Sequence, residues 1–118
     1  MVNEVNDSID GTLAALAEPT RRRVVELLRQ QPRRAGDLAA AFDMTPPAMS
    51  RHLRVLRRSG LVEEYGLDDD ARVRMYRLRA ERLSALLSWL EEVAEFWTKQ
   101  LSAFKAHAEG RHKKGRQS

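Results

Sequence analysis

The stretch "TPPAMSRHLRVLRRSG", residues 45–60, constrains the fold more tightly than any other part of the chain. Two adjacent prolines do not fit inside a helix, because each lacks an N–H and its ring crowds the preceding turn. Behind them Met49, Leu53 and Leu56 nevertheless recur at helical spacing, with Val55 beside them. Both facts hold together if Pro46 and Pro47 occupy the first turn, where the N–H groups need no intrahelical partner. Thr45 is then the N-cap, its hydroxyl accepting from the N–H of Ala48, and Gly60 ends the helix in a left-handed conformation. A helix over 46–59 is thus specified at both ends, and its remaining surface carries four arginines and no acid.

Around this helix the pattern is short and mostly helical. Residues 9–17, "IDGTLAALA", read as a helix with Leu13 and Leu16 on one face. Pro19 suits the start of a second helix, "PTRRRVVELLRQQ", which turns Val24, Leu27 and Leu28 inward until Pro32 stops it. "GDLAAAFDM" predicts a short third helix with Leu38 and Phe42 on one face. Runs 61–67 and 72–78 flank the turn-forming "DDDA" as a β-hairpin. Within the second run, Arg74, Tyr76 and Leu78 share one face, and Val73, Met75 and Arg77 the other. A long helix over 80–108 follows, with Leu83, Leu86, Leu87, Leu90, Ala94, Trp97, Leu101 and Phe104 along one stripe, widened by Trp89, Val93 and Phe96. Gly110 is expected to end it, which leaves 1–8 and 109–118 as flexible ends of a single domain over 9–108.

Charge narrows the partner. Net charge is only +4, yet residues 18–60 hold ten arginines against four acids, the footprint of a polyanion partner or else of a solvated arginine surface. The chain contains no cysteine, which excludes disulfides, thiolate metal sites and a cysteine nucleophile. "LSALLSWL" is too short to span a bilayer, and the polar, acidic N-terminus does not look like a signal peptide, so a cytoplasmic protein is expected. No glycine-rich phosphate loop, nucleophile elbow or zinc motif is present. Ser50 and His52 lie two apart on a helix and point in different directions, so the chain is not expected to be an enzyme.

Four helices, a hairpin and a long final helix (α-α-α-α-β-β-α) make a mostly α fold with a small β-hairpin wing, the order of a winged helix-turn-helix. In such modules the second helix of the pair offers its N-terminal residues to base edges in the major groove. Thr45, Pro46 and Pro47 place free N–H groups and the positive end of the helix dipole near phosphate. Ser50 and Arg51 are the base-reading candidates, since arginine pairs in bidentate fashion with guanine. Arg54, Arg57 and Arg58 fall further along, at phosphate-contact positions, with simple solvation the alternative for each. His52 has two readings, helix packing or phosphate contact. Asp68, Asp69 and Asp70 at the wing tip would repel the minor groove, leaving Arg72 and Arg74 to make any contact there.

The segments "LAEPTRRRVVELL", "LAAAFDMTPPAMSRHLRVLRRSGLVEE" and "RMYRL" resemble the ArsR family of bacterial winged-helix repressors, and the resemblance covers the chain from about Leu13 to Leu101. It implies a homodimer joined through its first and last helices, bound to a palindromic DNA operator and associated with the nucleoid. Leu13, Leu16, Leu83, Leu87, Leu90, Ala94, Trp97, Leu101 and Phe104 would form that interface. The stripe itself supports this, since a helix of about 29 residues spans ~43 Å and carries more apolar surface than so small a core absorbs. Metal-sensing members use cysteine pairs or His and acid clusters that this chain lacks, so no metal or cofactor is expected. "DDDA" reads as a solvated turn, because three adjacent carboxylates do not make a calcium loop. An RNA- or ribosome-associated module and a protein-interaction module remain as alternatives. The first lacks exposed aromatics outside the last helix, and the second would not need the basic face.

Overall fold

The computed structural model describes residues 4–67 and 70–116, with side chains over 8–66 and 72–110. In chain order the elements are α1 (Glu4–Leu16), α2 (Pro19–Gln30), β1 (Arg33–Arg34), α3 (Ala35–Ala41), α4 (Pro46–Arg58), β2 (Val62–Leu67), β3 (Asp70–Leu78) and α5 (Ala80–Arg116). The chain is therefore mostly helical with a small antiparallel sheet, the winged helix-turn-helix order read from the sequence. Residues up to Leu86 form one compact unit and those from Leu87 a second.

Three features differ from expectation. The sheet has a third strand, in the order β1-β3-β2, because Arg33 and Arg34 pair with Tyr76 and Met75. Two residues carry no period by which a strand is recognised. Helix α1 starts at Glu4 rather than residue 9, and α5 runs through Gly110 to Arg116, so helical backbone occupies 4–8 and 109–116. Once a helix is formed, each added residue gains a hydrogen bond, and one glycine costs only about 1 kcal/mol relative to alanine. Helix α2 buries Val24, Val25 and Leu28, with Leu27 at the rim of the core instead of inside it.

The core lies where α2, α3 and α4 meet the sheet. Leu38, Met49, Leu53, Leu56 and Leu61 are fully buried, joined by Val24, Val62 and Tyr76. Met49, Leu53 and Leu56 form the inward stripe expected of α4, while Val55 is 37% exposed. Each such buried aliphatic side chain contributes about 1.5–3 kcal/mol, so the core holds α4 firmly by one face and leaves the other to solvent.

Helices α3 and α4 end in the same way. After α3, the N–H of Asp43 donates to Ala40 and that of Met44 to Ala39; after α4, Gly60 donates to Arg57 and Leu61 to Leu56. Both are Schellman endings, which require one residue in the left-handed region. Asp43 (φ 51°) and Gly60 (φ 81°) supply it. The tight turn from α3 into Thr45 follows from the first ending, and the entry into β2 from the second.

Candidate nucleic-acid interface

The N-terminus of α4 is built as its sequence demands. Thr45 has extended backbone, and its hydroxyl accepts from the N–H of Ala48 at 3.3 Å, with prolines occupying the first turn. Pro46, Pro47, Ser50, Arg51, Arg54 and Arg58 are all exposed, opposite the buried stripe. Among the described residues, the side chains of Arg51, Arg54 and Arg58 have no hydrogen bond or ion pair. Three uncompensated guanidinium groups thus share the outward face of a helix whose dipole adds positive potential at its start.

Arg57 and Arg74 are placed differently. Both are held by Glu64 of β2: Arg57 Nη1 lies 2.9 Å from Oε2, and Arg74 Nε donates to Oε1 at 2.5 Å. The Tyr76 hydroxyl donates to Oε2 at 2.9 Å. The Arg74 hydrogen bond is the main cause that holds the Glu64 carboxyl below its ordinary value; burial opposes it, and Tyr76 and the Arg57 charge reinforce it. Burial, followed by the Glu64 contact, pushes the Tyr76 phenol up. Glu64 was not among the sequence candidates. Its signal lay in strand alternation, which puts it on the same face of β2 as the buried Val62, where a carboxylate requires partners.

His52 is half-buried, its Nδ1 3.7 Å from Oε2 of Glu18. Glu18 is the N-cap of α2, accepting from the N–H of Arg21 at 2.9 Å. Burial pushes the Glu18 carboxyl up, but the N–H donors of Arg21 and Thr20, with the charges of His52 and Arg21, outweigh it and leave it lowered. Arg72 is exposed on β3, while Asp68 and Asp69 lie outside the described residues, as does the side chain of Asp70.

The remaining arginines of the basic segment divide by role. Arg21 donates to the carbonyls of Ala15 and Ala14, and Arg22 to those of Leu16 and Ala17, so this pair closes the C-terminus of α1. Arg33 donates to Leu27 at the end of α2 and to Gln30. Arg29 pairs with Glu26. Much of the clustered charge therefore caps helices, where cations at a C-terminus are favoured.

The expected interface residues fall into two groups. Leu16 and Leu83 are partly buried against the core of their own unit, whereas Leu13 is 41% exposed. On α5, Leu87, Leu90, Ala94, Trp97, Leu101 and Phe104 are all exposed, as are Trp89 and Phe96. Phe96 and Trp97 stack edge to face.

Known proteins share this fold. The profile of the bacterial regulatory protein, arsR family, matches residues 18–64, from the α2 cap to Glu64. The chain is 38% identical over 98 residues to the HTH-type transcriptional regulator Rv2034 of Mycobacterium tuberculosis, covering 82% of this chain and 85% of that protein. A crystal structure of an ArsR family transcriptional regulator, RHA00566, superposes with a TM-score of 0.71 at 33% identity, covering 83% of this chain and 97% of the other. An ArsR-like transcriptional regulator from Rhodococcus sp. RHA1 gives 0.72 at 27% identity over 85% and 92%. With its α3–α4 pair, its wing and these relatives, the chain belongs to the ArsR family and is a DNA-binding transcriptional regulator.

Proposed function

We propose that the protein is a homodimeric repressor that occupies a palindromic operator through α4 and acts by binding rather than catalysis. The observation that carries this reading is the outward face of α4, where Ser50, Arg51, Arg54 and Arg58 are exposed and the three arginines lack partners among the described residues. Thr45, Pro46 and Pro47 lie at the phosphate, Ser50 and Arg51 read base edges, and Arg54 and Arg58 contact phosphate. Arg72 on the wing reaches the adjacent groove. Arg57 and Arg74, already paired with Glu64, and His52, against Glu18, take a secondary place.

Repression is supported by relatives that carry the name, such as the transcriptional repressor SdpR of Bacillus subtilis, 30% identical over 57 residues. Dimerisation is supported by α5. Leu87, Leu90, Ala94, Trp97, Leu101 and Phe104 alternate in steps of three and four, the 3.5-residue period of a coiled-coil seam. Side chains such as Trp97 (55% exposed) and Phe104 (72%) are rarely left to water in such a row. A two-fold dimer sets its two copies of α4 about one DNA turn, ~34 Å, apart.

Fluorescence anisotropy tests the reading, with duplex DNA from upstream of the protein's own gene set against a shuffled duplex. We expect ~10³-fold preference for the upstream fragment and a steep loss of affinity with salt. Arg51→Ala should relax base preference by about 1–3 kcal/mol, while Arg54→Ala should weaken both duplexes alike and flatten the salt slope by about 0.9. Identical behaviour of the two variants would overturn the division between reading and positioning arginines.

A further inference from the structure

We propose that Glu64 is a specificity-determining residue, which holds Arg57 and Arg74 on one carboxylate and so withdraws one unit of sequence-blind positive charge from the DNA-binding surface. The inference rests on the reading of α4 as the DNA-contacting helix.

Glu64 sits opposite Tyr76 in the β2–β3 ladder, and its side chain is 17% exposed. Such a carboxylate is costly unless fully paired. Here both oxygens are used: Oε1 by Arg74, Oε2 by Arg57 and the Tyr76 hydroxyl. The three donors come from two different elements, the last turn of α4 and the long strand of the wing. Shape alone does not ask for an acid at this position, since an apolar side chain beside Val62 and Tyr76 would satisfy the core at least as well.

What the acid accomplishes is electrostatic. Arg57 and Arg74 remain about half exposed, at 49% and 48%, so a phosphate in their vicinity would meet them. Each is already paired to an intramolecular anion that is always present. Two guanidinium groups around one carboxylate carry a local charge of +1 instead of +2. Affinity for arbitrary DNA grows with the number of phosphates neutralised, whereas selectivity is the ratio of specific to arbitrary binding. By holding these two arginines, Glu64 lowers the arbitrary part and leaves Ser50 and Arg51 to decide where the protein rests. The Tyr76 hydrogen bond fixes the carboxylate toward both arginines, since the phenol donates to the oxygen that Arg57 also meets.

Glu64→Gln tests this, because it keeps the volume and the acceptor for Tyr76 while removing the charge. Its affinity for the shuffled duplex should rise about tenfold at low salt, with a salt slope steeper by about 0.9 for the one net charge released. The preference for the upstream fragment should fall accordingly. Adding Arg57→Gln to Glu64→Gln returns the local charge to +1 and should restore the wild-type slope, which lost packing would not do. A folded Glu64→Gln with unchanged slope and preference overturns the proposal. If that variant does not fold, Arg57→Gln combined with Arg74→Gln decides the matter. Removing both together should flatten the slope by only about 0.9, one net charge, where Arg54→Gln with Arg58→Gln flattens it by about 1.8; equal flattening by the two pairs overturns the proposal. Wild-type protein that binds neither duplex would instead remove the DNA reading itself, and is seen before any variant is made.

Discussion

Arg21, Arg33, Arg54 and Arg74 are chemically the same side chain in three different situations. Arg21 and Arg33 close helix ends on backbone carbonyls, Arg74 sits on a carboxylate, and Arg54 has no partner among the described residues. A count of arginines therefore overstates the surface available to a polyanion, and only the partners distinguish one from another. The Glu64 cluster also makes stability depend on pH. Its carboxyl is held below the ordinary glutamate value of 4.5, first by the Arg74 hydrogen bond. A lowered folded value contributes stability that is complete above the unfolded value and is lost as pH falls through the folded one. The stability difference between wild type and Glu64→Gln, from urea titrations, should therefore be largest at about pH 7 and shrink below about pH 4. A difference that stays constant over that range would show that the charge contributes nothing.

Among the elements, α4 was the most legible because its local chemistry is strong at both ends. Thr45, the paired prolines and Gly60 each act within a turn of where they stand, and the cap and the left-handed ending are as their residue types require. The Gly60 ending is also the most exposed to substitution. An added Cβ would meet the left-handed penalty and lie 2.7 Å from Nε of Arg82. Gly60→Ala should cost about 1–2 kcal/mol, measured by chemical denaturation, and loosen the wing against α4. The matching ending of α3 carries no such signal in the sequence, because Asp43, and not a glycine, takes the left-handed position there. Strand β1 is silent in the sequence for a different reason. It exists only through Tyr76 and Met75, more than forty residues away in sequence. Helix α5 was recognised as a long apolar stripe, but its length past Gly110 depends on propagation rather than on pattern.

For the whole molecule, the proposed dimer is what would convert one basic helix into an operator reader. If α5 supplies the seam, Leu90→Glu with Trp97→Glu should yield a monomer by analytical ultracentrifugation, and affinity for the upstream fragment should fall by at least tenfold while the circular dichroism of the helices is kept. A dimer that survives both charges would place the interface elsewhere. Periodicity and caps alone determined the order of the five helices and the hairpin, the buried stripe of α4 and the choice of a winged helix-turn-helix, because these are set by neighbours within a few residues. They also separated Ser50, Arg51 and Arg54 from Met49, Leu53 and Leu56, since helix geometry assigns faces without reference to the rest of the chain. Only the tertiary structure decided which arginines are spoken for, that His52 meets Glu18, and that Glu64 joins α4 to the wing. Such contacts depend on which surfaces packing brings together, and charge attraction over a few ångströms has no period along the sequence by which it can be read.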